Sequence, residues 1–202
     1  MCVFVFTFTV PHRINVEQIN TERLNALQTT SQTYIAKDTC IAERFKHLLN
    51  QIPVAEQLVL RIGAQVILLK NLDFERGLVN GAVGVVVDFS PDGQHLPIVR
   101  FRNSVEDTID YAEWAFESGG VKVAARSQIP LNLAWALSIH KSQGMTLSNV
   151  EMSIEKVFAE GQAYVALSRV VSLSGLRIVG KLPPFSAMKP NARVVEFYRT
   201  FM

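Results

Sequence analysis

Residues 132–146 read Asn132-Leu-Ala-Trp-Ala-Leu-Ser-Ile-His-Lys-Ser-Gln-Gly-Met-Thr146, and residues 161–169 read Gly161-Gln-Ala-Tyr-Val-Ala-Leu-Ser-Arg169. In the first stretch an apolar run stops at His140-Lys141-Ser142-Gln143-Gly144, with Thr146 close behind. One cation, several hydrogen-bonding side chains and a permissive glycine thus meet at one chain turn, a combination suited to phosphate oxygens and sugars. The second stretch has the composition of a short helix whose last polar residue is Arg169. A guanidinium reaches phosphate oxygens bidentately and keeps its charge at any working pH. Taken singly, these residues have plainer readings: Arg169 as a surface salt-bridge arginine, Lys141 as a solvated lysine, His140 as the partner of a core carbonyl.

Around these stretches strands alternate with helices. Leu133–Ala136 reads as a strand leading into a short helix through His140, and Val150–Ile154 as a second strand. Gln162–Leu167 is helical, Leu176–Val179 is a strand, and Ala192–Phe201 is a closing helix. Such alternation implies a parallel sheet covered on both faces. Towards the N-terminus, Val3–Val10 alternates as a strand, and Asn15 is placed to cap a helix over Val16–Leu27. Thr39 is placed to cap a second helix, with Ile41, Phe45, Leu48, Leu49 and Ile52 at helical spacing and Pro53 as its stop. Gln57–Leu60 and Gln65–Leu69 are short strands. From Asn71 the pattern changes to five β-prone pieces, Val83–Phe89, Pro97–Phe101, Thr108–Tyr111, Trp114–Phe116 and Val121–Ala125. Asn80-Gly81, Pro91-Asp92-Gly93 and Gly119-Gly120 punctuate them, as in a small barrel.

With 49% apolar and 19% charged residues, the chain has material for a sizeable core, which argues against disorder. A net charge of +2 carries no case for nucleic acid, but its distribution is uneven. Residues 71–120 hold 3 basic and 9 acidic groups, whereas residues 121–181, which include both quoted stretches, hold 7 and 3. Cations around the quoted stretches favour anions there. Cys2 and Cys40 fit a reducing compartment and make no metal pattern, and the four histidines have no ligand spacing, so no protein-held metal is expected. No apolar run approaches the ~20 residues needed to span a membrane, and no membrane partner is expected.

The pair Ser-Ile-His-Lys-Ser-Gln-Gly-Met-Thr (138–146) and Ala-Tyr-Val-Ala-Leu-Ser-Arg (163–169) resembles motifs V and VI of superfamily-one DNA helicases. The similarity is greatest to the petite-integration-frequency (PIF) family, which unwinds DNA in the 5′ to 3′ direction. A third match runs from Leu60 to Val87, through Arg61-Ile-Gly-Ala-Gln-Val and Lys70-Asn-Leu…Arg76-Gly-Leu-Val-Asn-Gly-Ala-Val-Gly. A weaker one covers His12 to Leu24 with Asn20. The resemblance spans residues 9 to 200. It implies an α/β fold: a RecA-like (P-loop NTPase-type) parallel-sheet domain interrupted by a small SH3-like β-barrel insertion. Residues 1–66 and 131–202 would form the RecA-like part, and 67–130 the insert.

What the resemblance implies about chemistry follows residue by residue. Arg169 matches the motif VI arginine finger on the γ-phosphate. Gln143 and Gly144 would lie close to ATP. His140, Lys141, Ser142 and Thr146 would face the DNA backbone, and Asn80 would contact DNA, although Asn80-Gly81 is also a common tight turn. Tyr164 is expected to pack in the helix interface, with base stacking as the alternative, and Trp135 to lie in the core. Arg61, Gln65 and Lys70 are given no role.

A motor also needs a Gly-x4-Gly-Lys-[Ser/Thr] loop and an acidic pair for magnesium. Gly175-Leu-Arg-Ile-Val-Gly180-Lys181-Leu182 comes near the loop, but Leu182 has no hydroxyl and the apolar interior suits a buried strand. The expectation is therefore the C-terminal motor half of an ATP-dependent helicase, inactive alone. ATP and Mg2+ would be used by the complete enzyme, with magnesium ligands on a missing N-terminal RecA-like domain and none on this chain. The expected partners are single-stranded DNA, forked or structured DNA and that missing domain. The chain itself would be monomeric, in the nucleus or mitochondrion of a eukaryote or otherwise the cytoplasm. The alternative is a non-catalytic single-stranded nucleic-acid-binding or interaction module that kept the fold; a stand-alone RNA-binding barrel protein is a third reading.

Overall fold

Four short strands pair in parallel, as the strand–helix alternation requires: β1 (Thr7–Val10), β12 (Ala136–Ser138), β13 (Val150–Ser153) and β14 (Leu176–Val179). Their order is β12-β1-β13-β14. The computed structural model describes residues 7–10, 13–138, 142, 147, 149–153, 161–182 and 192–200. Packing divides the chain into two compact units, one from Arg23–Ala134 and one from the described residues of Val3–Glu22 and Trp135–Met202. The motif-based boundaries at 66 and 130 thus differ from the packing boundaries at 22/23 and 134/135.

The parallel sheet belongs to the second unit, where Ala136, Leu137, Val150 and Met152 are buried. Helix α1 (Arg13–Ala26) begins before the expected cap at Asn15. Its Asn20 is buried and pairs twice with one backbone unit. Asn20 Nδ2 donates to the Ala136 carbonyl (3.0 Å), and the Ala136 N–H donates to Asn20 Oδ1 (2.9 Å). A side-chain amide thereby completes the outer edge of β12, where a neighbouring strand would otherwise be needed to satisfy buried backbone groups. Trp135 is buried, as expected. Helix α3 (Gln162–Leu167) has the predicted bounds, and α4 (Ala192–Arg199) closes the described chain.

The first unit is β-rich. A five-stranded sheet has the order β11 (Leu131–Leu133), β5 (Gln65–Leu68), β6 (Val83–Phe89), β7 (Pro97–Phe101) and β8 (Glu106–Thr108). A three-stranded sheet joins β3 (Lys37–Cys40), β10 (Val121–Gln128) and β9 (Ala112–Ser118), and β2 (Ser31–Ile35) pairs with β4 (Gln57–Arg61). All of these pairs are antiparallel. The expected barrel is not closed among the described strands, because their hydrogen bonding ends at separate sheet edges. Leu60, Val66, Ile67, Leu68, Val99 and Phe101 fill the core. Gly84 lets β6 and β7 approach closely, since a Cβ there would lie 2.5 Å from Val99 Cγ1 and 2.9 Å from the Arg100 carbonyl oxygen.

Three local expectations give way to tertiary pairing. Thr39 caps no helix: it lies in β3, opposite Ala125 of β10. The helix expected after it shrinks to a 3₁₀ turn at Glu43–Phe45 and one α-turn, α2 (Lys46–Leu49), which packs Leu49 beside Ile52, Val54 and Ala124. The stretch Leu133–Ala136, expected as a strand with a helix after it, instead spans the gap between two strands. Leu131–Leu133 pairs with β5 in the first unit and Ala136–Ser138 with β1 in the second. Ala134 and Trp135 between them are as buried as Leu131 and Ala136, so apolarity alone could not mark the break.

Candidate functional site

Arg169 follows the C-terminal end of α3. Ala163 and Ala166 are fully buried at helical spacing, which fixes the helix on its unit. The Ser168 N–H makes the last i→i−4 bond, to the Tyr164 carbonyl at 2.9 Å, and the Arg169 N–H tightens to Ala166 at 3.2 Å. That tightening releases the Val165 carbonyl from the helical ladder. The released oxygen accepts Arg169 Nε at 3.0 Å and Ser168 Oγ at 3.1 Å, while Arg169 Nη2 donates to Ser168 Oγ at 2.9 Å. A guanidinium carries five N–H donors, and two are thus engaged by its own helix end. Among the described residues no carboxylate pairs with Arg169, so the salt-bridge reading finds no support there.

The turn after Arg169 is tied to the segment that follows the first quoted stretch. The Leu147 N–H donates to the Arg169 carbonyl at 2.8 Å, and the Val171 N–H donates to the Leu147 carbonyl at 3.1 Å. Leu147 is buried and forms an isolated parallel bridge with Val170. Ser142 is also fully buried, with its N–H on the Ser138 carbonyl at 3.1 Å, one helical turn after β12. The resemblance puts Ser142 against the DNA backbone; in this structure the residue is buried. His140, Lys141, Gln143, Gly144 and Thr146 lie outside the described residues. Tyr164 is 71% exposed, contrary to the expected interface packing, because it projects from the side of α3 opposite Ala163 and Ala166.

Asn80, in the first unit, is exposed, and its backbone N–H donates to Asn71 Oδ1 at 2.8 Å. Gly81 beside it has φ +94°, so the pair forms a turn that only glycine enters without strain. The residues without an expected role bond to backbone carbonyls within the first unit. Arg61 Nη1 donates to the carbonyls of Leu27 and Thr29 at 3.0 and 3.2 Å. Buried Gln65 donates to Ala134, and Lys70 to the Glu113 carbonyl. Arg126 was not singled out by sequence. It is 4% exposed and holds Asp38 bidentately at 2.7 and 2.6 Å, with Glu56 at 3.2 Å. The hydrogen bonds from Arg126 hold the Asp38 carboxyl below the usual carboxylate range. Ser168 was in plain view inside the second stretch; its spacing of three from Val165 was the available signal.

The near-match to a phosphate loop is a strand: Leu176 to Val179 pair in register with Val150 to Ser153. It is not buried as expected, because β14 is the sheet's outer strand; Ile178 and Val179 are 38% and 40% exposed. Among the described residues no cluster of three or more His, Cys, Asp or Glu is placed to hold a metal ion.

A family model described as the 2B domain of the DNA helicase Pif1 matches residues 45–89. Over 196 residues the chain is 47% identical to the ATP-dependent DNA helicase PIF1 of Homo sapiens, covering 97% of this chain and 30% of that protein. The crystal structure of the Pif1 helicase from Candida albicans matches with a TM-score of 0.81 at 33% identity, covering 98% of this chain and 50% of that one. The Pif1 helicase from Bacteroides in complex with ADP-AlF3 and ssDNA matches with a TM-score of 0.69 at 28% identity, covering 97% and 45%. The chain therefore spans under a third of the human relative and about half of each solved chain.

Proposed function

This chain is homologous to a C-terminal segment of the PIF1-family ATP-dependent DNA helicases, and from that premise we propose that it forms the second RecA-like domain of such a 5′→3′ motor. Its part is to supply an arginine finger and contacts to single-stranded DNA. The carrying observation is Arg169, whose guanidinium is steadied by its helix end yet carries no carboxylate partner among the described residues. Its three remaining N–H donors suit a pair of phosphoryl oxygens. Charge spread over a transferred phosphoryl group needs a fixed cation.

The residues here do not fit the cradle of a triphosphate, because β14 occupies the near-match loop. Magnesium on the nucleotide neutralises charge at the phosphoryl oxygens, and its ligands and the phosphate loop are assigned to a partner motor domain. Gln143 and Gly144 are assigned to the nucleotide side. His140, Lys141 and Thr146 are assigned to the DNA backbone, and Asn80 to a further DNA contact. Ser142, although buried in this chain, is assigned to the same track. The Leu147 bridge supports communication between the two, since its backbone bonds tie that segment to the Arg169 turn. Forked DNA as substrate, a monomeric state and an intracellular location belong to the same proposal.

The purified chain alone is expected to hydrolyse no ATP. Magnesium-dependent turnover that Arg169→Ala abolishes would sink the split-motor reading. Fluorescence anisotropy tests the DNA half. Weak binding of single strands without strong sequence preference is expected, with a salt slope of about −0.7 per contacted phosphate. Lys141→Ala should reduce that slope by up to about one unit and weaken all sequences alike. His140→Ala should weaken binding with little change of slope at a pH where the imidazole is neutral. Salt-insensitive binding, or two unchanged variants, would favour a module that kept the fold without the track.

A further inference from the structure

We propose that Ser168 is a positioning residue for Arg169, an inference that rests on the arginine-finger reading. Arginine has long rotamer freedom, and ordering it for one geometry costs entropy that a bound contact must offset. Here the ordering is built into the end of α3. Because the Arg169 N–H bonds to Ala166 rather than to Val165, the Val165 carbonyl is open to side chains. It accepts both the Ser168 hydroxyl (3.1 Å) and Arg169 Nε (3.0 Å). With its proton committed to Val165, the Ser168 oxygen turns a lone pair to Arg169 Nη2 at 2.9 Å. The three groups close a ring of hydrogen bonds that fixes the guanidinium plane along one edge, Nε and Nη2. The Nη1 edge and one Nη2 proton are left pointing away from that ring.

The geometry also explains why a hydroxyl is needed at this position. Alanine leaves the Val165 bond to Nε but removes the hold on Nη2, so the plane can swing about Nε. Threonine carries the same oxygen on the same carbon and makes the same backward bond to the helix carbonyl. Among the described residues no acid enters the ring, which leaves the positive charge to an outside anion.

In a full-length PIF1-family helicase carrying this segment, Ser168→Ala is expected to lower kcat about tenfold, the scale of one hydrogen bond to a charged group. KM for ATP should change by less than about twofold, and Ser168→Thr should restore most of the rate. In an Arg169→Ala background, Ser168→Ala should have no further effect on kcat, whereas a purely structural helix cap would act equally in both backgrounds. If Arg169→Ala is crippling while Ser168→Ala matches the wild type, the positioning role falls and the finger stands. Equal loss in both backgrounds likewise overturns it. If Arg169→Ala lowers turnover less than tenfold, the finger reading falls and the positioning role falls with it.

Discussion

Arg169→Ala, in a full-length helicase carrying this segment, is expected to cut ATP turnover by at least about 10³-fold, the low end for an arginine finger. Nucleotide affinity should fall much less, since most binding contacts are assigned to the phosphate-loop domain. The split follows from differential binding: a cation that meets charge developed only during transfer raises kcat and leaves ground-state affinity nearly alone. Arg169→Lys should recover little, because an ammonium cannot reproduce the planar fork that Val165 and Ser168 hold by Nε and Nη2. Steady-state ATPase assays beside nucleotide titrations measure both arms. A loss below tenfold, or parallel losses in turnover and affinity, would make Arg169 a structural residue.

The second large effect is on stability. Asp38→Ala should destabilise the β-rich unit by about 2 kcal/mol, the scale of hydrogen bonds to a charged group, because Asp38 is itself 32% exposed and water screens its side of the pair. Arg126 is 4% exposed and would lose its bidentate partner, retaining the Val54 carbonyl at 3.2 Å and Glu56, which is itself 76% exposed and correspondingly weak as a screen. The pH dependence has a definite sign. Folding lowers the Asp38 carboxyl below its ordinary range of about 4. Its contribution is therefore fully present above that range and is lost as pH falls through the folded value. Urea unfolding followed at Trp114, which lies opposite Arg126 in the β9–β10 register, should show a wild-type advantage over Asp38→Ala at neutral pH. That advantage should shrink on acidification below about pH 4. A constant difference between pH 7 and pH 3, or none at pH 7, would mean that the pair contributes nothing to folding.

Much of the architecture was legible because it rests on local patterns. Val83–Phe89, Pro97–Phe101, Gln162–Leu167 and Leu176–Val179 were read with the bounds the structure gives. In each, the side-chain period and the flanking turn residues speak for the backbone directly. Asn80-Gly81 was readable for the same reason, since the positive φ of Gly81 is a property of the residue pair. Thr39 shows the opposite case. Its spacing to Ile41 and Phe45 is helical, but Asp38, Thr39 and Cys40 find strand partners in β10 at Arg126, Ala125 and Ala124. Pairing across such a distance overrides a modest helix preference.

By itself, the sequence determined the α/β alternation, the strands along the chain and the two polar clusters to which the proposed site is assigned. These are written within windows of a dozen residues. Tertiary structure alone decided three things. Asn20 completes the edge of β12 from 116 residues away, and Arg126 closes on Asp38 from 88 residues away. The Arg169 side chain takes its direction from a carbonyl that its own helix end released. The first two depend on which buried donor finds which buried acceptor once the chain has collapsed, and no local period records that choice. The third depends on whether one N–H bonds back three residues or four, which the geometry of the folded helix end settles.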